Sequence, residues 1–151
     1  MNKQLHILLT VLALCLGWHA WAQTPVTPAR NALKQSPEGE FSVFSSITKY
    51  LAAGDAASLS SWFADNLDVT IISSPRNCSK SQARQILRTF FDTYTPRSFE
   101  VTHRASEANK KYLIGQLNAG GELFQVTIYA TSQGGDTYKI QQLSISRQTG
   151  Y

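Results

Sequence analysis

Apolar residues recur at helical spacing in the first half of the chain and at alternating spacing in the second. Phe41, Phe44, Ile47 and Leu51 lie three or four residues apart, which predicts a helix with one buried stripe. Ser36-Pro37 ahead of it reads as an N-cap followed by proline in the first turn. Gly54 behind it reads as the left-handed residue that ends the helix. Asp55 is placed to cap a second, shorter helix carrying Leu59, Trp62 and Phe63. Leu67-Asp68-Val69-Thr70-Ile71-Ile72 is rich in β-branched residues and predicts a strand that stops at Pro75. Ser79-Lys80-Ser81-Gln82 is a capping box, in which hydroxyl and amide satisfy free backbone N–H groups reciprocally. It opens the clearest helix of the chain, with Ala83, Ile86, Leu87, Phe90, Phe91 and Tyr94 on one face. Pro96 closes it, because the residue before a proline is pushed out of the α region.

Beyond Pro96 the period becomes two. Phe99, Val101 and His103 alternate with Glu100, Thr102 and Arg104, and Phe124, Val126, Ile128 and Ala130 form a wholly apolar phase. Asn118-Ala119-Gly120-Gly121 and Gln133-Gly134-Gly135-Asp136 are turns that join antiparallel neighbours. In the last strand Tyr138 and Ile140 belong to one parity, Leu143 and Ile145 to the other. One extra residue at Gln141-Gln142, a β-bulge, brings both pairs to one face. The predicted class is α+β with order ααβαββββ: a curved antiparallel sheet wrapped around helices.

The start of the chain sets the expected address. Lys3, an apolar run from Leu5 to Leu16 and the small residues of Ala20-Trp21-Ala22 have the order of a cleavable signal peptide, residues 1–22. About a dozen apolar residues fall short of the roughly 20 a membrane-spanning helix needs, so no transmembrane anchor is expected. The protein is thus expected to be exported, periplasmic or secreted. The rival is a lipoprotein acylated at Cys15, but Leu14 stands where such processing wants a small residue. Residues 23–35, with two prolines and no periodicity, read as a flexible leader. Residues 36–151 read as a single domain.

Cleavage removes one of the 14 basic residues and leaves 13 against 10 acidic ones, a net charge of +3. So mild an excess suits solubility and not a nucleic-acid partner. The mature chain keeps one cysteine, Cys78, and one histidine, His103. No internal disulfide is then available, so a hydrophobic core must hold the fold. No metal site is expected, since no His/Cys cluster has ligand spacing, and no cofactor motif is legible.

Gly54-Asp55, Leu59-Ser60-Ser61-Trp62-Phe63, Phe90-Phe91, Pro96-Arg97-Ser98-Phe99, His103, Tyr112-Leu113-Ile114-Gly115 and Gln141-Gln142-Leu143-Ser144-Ile145 carry a resemblance. With the element order, they resemble the nuclear transport factor 2-like superfamily, which includes ketosteroid isomerase-like and polyketide cyclase-like proteins. More narrowly they resemble small secreted proteins known only as a domain of unknown function. The resemblance implies a cone-shaped fold and is nearly silent on function, because that fold hosts enzymes, binding modules and transport adaptors. It also implies a homodimer through the polar strand face of Gln125, Thr127 and Tyr129, a face that equally suits a solvated sheet surface.

Four features are candidates for chemistry. His103 shares its phase with Phe99 and Val101 and is expected to face into the cone. There it is either a satisfied core histidine or, with Tyr112 or Tyr138, a proton-transfer group of an isomerase- or dehydratase-like enzyme. The inward phase holds no Asp or Glu, which argues against catalysis of the ketosteroid isomerase kind. Cys78 beside the long helix is either a dipole-activated thiol or a small inert side chain. Arg76, Lys80, Arg84 and Arg88 flank that helix as a site for an acidic partner or a phospholipid head group, or as a solvated flank, the commoner case. The leading reading is a non-catalytic domain holding a small apolar molecule or a protein segment in its cone, with Trp62, Phe91, His103, Tyr112 and Tyr138 as lining residues. A structural or assembly role through the sheet face stands beside it.

Overall fold

The structure, a computed structural model, describes Gly39 and residues 41–149 of the 151. The expected signal peptide, leader and Ser36-Pro37 cap lie outside the described residues. Two helices come first, α1 (Ser42–Ala53) and α2 (Ala56–Ser60), and then the hairpin β1 (Phe63–Ile71) and β2 (Ser74–Ser79). The long helix α3 (Lys80–Thr93) follows. It leads into β3 (Pro96–Glu107), β4 (Lys110–Ala119), β5 (Glu122–Ser132) and β6 (Tyr138–Arg147). The six strands form one open, curved sheet in the order β2-β1-β6-β5-β4-β3. Helices α1 and α3 lie against the same face of that sheet, α1 on β3 and β4, α3 on β1 and β2. Among the described residues no helix is long and apolar enough to cross a membrane.

The helix boundaries follow from their caps. Gly54 sits at φ 67°, and its N–H and that of Asp55 donate to the carbonyls of Leu51 and Tyr50, closing α1. The Asp55 carboxylate accepts the Ser58 hydroxyl at 2.6 Å and the Ser58 N–H at 2.9 Å. These two bonds, the hydroxyl first, hold its pKa below the ordinary value. Ser79 and Gln82 form the expected capping box on α3. Ser79→Ala is expected to lower stability by about 1 kcal/mol, and chemical denaturation will read it directly.

The α+β class holds, with three differences of detail. The order is ααββαββββ, since Ser74–Ser79 is a strand that pairs antiparallel with β1 from Ile71↔Ser74 to Asn66↔Ser79. Its sequence, SPRNCS, has no alternating apolar pattern, and its proline is tolerated because β2 is an edge strand. Trp62 and Phe63 do not belong to α2: the helix stops at Ser60, and Phe63 opens β1, 1% exposed. The sheet is also not wholly antiparallel, because β1 runs parallel to β6.

One contiguous core lies between helices and sheet. Ile47, Leu51, Leu59, Leu87, Leu113, Leu117, Phe124, Val126, Ile128, Ile140, Leu143 and Ile145 are fully buried there. The expected bulge in β6 is present: Ile140 pairs with Ala130 and Gln142 with Tyr129, leaving Gln141 as the extra residue. Both apolar pairs of that strand then face the helices. A second irregularity, in β3, was not expected. Val101 pairs with Gly115 and His103 with Ile114, so Thr102 is extra and the strand changes phase.

Three of the hairpins close with two-residue loops, one of them Ala108-Asn109 between β3 and β4, with Ala108 at φ 41°. Gly120-Gly121, at φ 60° and 82°, joins β4 to β5 with the positive dihedrals such loops need. Ile72-Ser73 makes the same kind of loop between β1 and β2, at φ 45° and 68°. A β-branched side chain in the left-handed region is strained by about 1–2 kcal/mol. The Ile72 N–H donates to the Ile145 carbonyl at 2.8 Å, tying the turn to β6.

Candidate functional site

The bulge at Thr102 decides where His103 lies. It moves the imidazole from the helix-covered face, where Phe99 and Val101 lie, to the open outer face, and His103 is exposed. The expectation of an inward histidine is therefore wrong. On the outer face its ring meets Tyr112 at 6.1 Å between centroids, and Tyr112 in turn lies 4.7 Å from Tyr129. Partial burial first, then Tyr129, push the Tyr112 hydroxyl above its ordinary pKa. Glu107 and Lys110 rim the same shallow depression of about 400 Å³.

The other aromatic candidates sit elsewhere. Phe91 is core, 5% exposed, with its ring edge-on to Phe90. Trp62 is half-buried against the core at the α2–β1 junction, where its carbonyl accepts the Ile140 N–H. Tyr138 is half-buried on the helix side, with the Lys111 ammonium 4.5 Å above its ring. The structure thus brings together only His103 and Tyr112 of the five. Gln125, Thr127 and Tyr129 line the outer face as expected, with Tyr129 41% exposed.

The inward positions at the centre of the sheet join one core, and a depression of about 440 Å³ lies between α1 and β3–β4, against Phe41, Phe44, Val101, Arg104 and Leu113. The buried polar and charged side chains among the described residues are Ser60 and Lys111. Asp68 points outward and accepts a hydrogen bond from Asn77 at 2.8 Å. Cys78 is buried, and its thiol lies 3.9 Å from the Leu67 carbonyl. Desolvation, with Asp68 adding to it, pushes this thiol above its ordinary pKa. It is the inert side chain and not the activated one. Cys78 is expected to stay unreacted with 5,5′-dithiobis(2-nitrobenzoate) at pH 8 and to react at once in guanidinium chloride. Fast reaction of the folded protein would refute this.

An apolar concavity lies at the edge of the sheet, between α3 and the β1–β2 turn. It measures about 360 Å³, within the roughly 300–1,000 Å³ of small-molecule sites. Val69, Ile71 and Ile72 form one wall, and Ile86, Phe90 and Tyr94 the other. Phe90 and Tyr94 are held by Phe124, which meets both rings edge-on at 5.2 and 5.0 Å. Ser74, Arg76, Thr89 and Thr93 supply the polar rim. The register Val69↔Arg76 puts the guanidinium on the helix-facing side of β2. Thr89 and Thr93 are engaged, each donating to the carbonyl four residues earlier. Sequence pattern missed this site because Arg76 reads as a solvated charge and Ile72 as the end of a strand. The available signal was a two-residue hairpin loop with neither Gly nor Asn in it.

Solved structures agree on the fold. A DUF4783 family protein from Bacteroides uniformis is 21% identical, covering 70% of this chain and 97% of its own, with a TM-score of 0.66. One from Bacteroides ovatus is 20% identical, covering 70% and 94%, also at 0.66. An NTF-2 like protein of unknown function from Silicibacter pomeroyi is 11% identical, covering 75% and 99%, at 0.58. No curated protein matches the chain in sequence. Residues 44–146, from the first turn of α1 to the last residue but one of β6, match the family described as a domain of unknown function, DUF4783, and the chain belongs to that family, with the nuclear transport factor 2-like fold.

Proposed function

We propose that this is an exported, non-catalytic binding domain that takes a small apolar ligand in the groove between α3 and the β1–β2 turn. The observation that carries it is the open groove walled by Val69, Ile71, Ile72, Ile86, Phe90 and Tyr94. Ile71, Ile72, Ile86 and Tyr94 are partly exposed over a floor of buried Val69 and Phe90, and solvent-facing apolar surface of this kind marks interaction sites. His103 and Tyr112 lie on an open face away from that groove, which leaves the proton-transfer alternative without a water-excluded site.

The neutral probe N-phenyl-1-naphthylamine tests the groove. Its fluorescence is expected to rise on addition of protein, and Ile86→Gln is expected to weaken the response several-fold. No rise with the wild-type protein would refute the reading. Export is tested by intact mass of protein from its own cell envelope: a chain beginning at Gln23 agrees, and a diacylated Cys15 replaces secretion with a membrane anchor.

A second reading rests on the tyrosine pair of the outer face, where Tyr129 stays 41% exposed on a sheet surface no described helix covers. It makes that face a self-association surface. Light scattering is then expected to give a dimer that Tyr129→Arg converts to a monomer.

A further inference from the structure

The geometry points to an anionic amphiphile, a single-chain carboxylate, as the ligand of this groove, with its chain against the Ile72 and Ile86 walls and its head group on Arg76. The inference rests on the binding reading above and names the ligand's chemical class. Charge is the first argument. Arg76 is the single charged residue lining the groove, and no carboxylate lines it. Its guanidinium makes no ion pair or side-chain hydrogen bond with a described residue, whereas the Thr89 and Thr93 hydroxyls are already spent on helix carbonyls. No described side chain engages this exposed guanidinium, whose planar fork on the rim of an apolar trough complements a carboxylate bidentately.

The turn is the second argument. The sheet's other two-residue hairpin loops put only small residues at positive φ, Ala108 at 41° between β3 and β4 and Gly120-Gly121 between β4 and β5. At Ile72-Ser73 the chain instead holds an isoleucine at φ 45° and turns its side chain onto the groove wall. Strain of this kind collects at ligand sites because the side chain, not the loop, is what the position needs.

Laurate and dodecanol share a chain and differ in head charge, so calorimetric titration of both, below micelle formation, separates the claims. Laurate is expected to bind at least about tenfold more tightly than dodecanol, a difference of about 1.4 kcal/mol. Arg76→Gln is expected to erase that difference by weakening laurate at least several-fold more than dodecanol. Ile72→Asn suits the left-handed turn better, and it is expected to weaken both lipids several-fold without lowering the melting temperature. Should that variant not fold, Ile86→Gln on the opposite wall reads the same contact. Equal binding of laurate and dodecanol would overturn the anion claim and leave the apolar groove standing. Lipid binding indifferent to Ile72 and Ile86 would overturn the location. No binding of either lipid, with the neutral probe still bound, would overturn this inference alone; loss of all three would overturn the groove as well.

Discussion

Replacing Gly115 with valine is expected to cost about 3 kcal/mol or more, at the upper end of what overpacking does. The residue lies in β4 opposite Val101, with its missing side chain aimed at the helix-facing side. A Cβ there would stand 2.3 Å from the Phe99 ring edge and 2.6 Å from the Glu100 carbonyl oxygen. The ring can swing away; the carbonyl belongs to the adjoining strand and cannot move without breaking the β3–β4 ladder. Alanine is therefore expected to be costly as well. Phe99→Ala in the Gly115→Ala background is expected to recover part of the loss and not all of it. Urea unfolding checks this through the midpoint at unchanged slope. A Gly115→Val midpoint equal to that of the wild type would mean that Phe99 does not lie on Gly115.

Phe124→Ala is expected to be the most damaging change in the core, at about 3–5 kcal/mol from the lost burial and the cavity left behind. Phe124 is fully buried and meets Phe90 at 84° and Tyr94 at 66°, edge-to-face geometries that each add about 0.5–1.5 kcal/mol. Against a total stability of about 5–15 kcal/mol, this predicts a fall in Tm on the order of 15 °C or more. The consequence reaches the candidate site, because Phe90 and Tyr94 are walls of the groove and Phe124 is what they lean on. Tyr94 is held from outside too, where its hydroxyl accepts a 2.6 Å hydrogen bond from Arg147. Binding of the neutral probe is thus expected to weaken in Phe124→Ala under conditions where the variant is still folded. A small change in Tm would show that the ring cluster is not the hub its geometry describes.

The helices and the centre of the sheet were legible because their signals are local. Ser79 and Gln82 satisfy N–H groups within one turn, Gly54 takes a dihedral that glycine alone takes without strain, and the apolar phase of β5 needs no knowledge of its neighbours. The bulge in β6 was legible too, since Ile140 and Leu143 have opposite parity and only one extra residue reconciles them. Strand β2 was not, because an edge strand with one ladder partner can be short, polar and proline-bearing without conflict. His103 was misplaced for a similar reason. Val101 and His103 look in phase along the chain, and nothing local announces that Thr102 is skipped. That choice belongs to the pairing with β4, where Gly115 receives Val101 and Ile114 receives His103.

The amino-acid sequence by itself determined the α+β class, the caps, the alternation that separates core from surface and the resemblance to the cone fold, because each depends on neighbours within a few residues or one strand. Only the tertiary structure decided that the histidine faces outward, and that a strained isoleucine and an arginine with no described side-chain partner line one groove. Those facts depend on strand register and on where α3 stops covering β1 and β2, and register is set by partners distant in the chain.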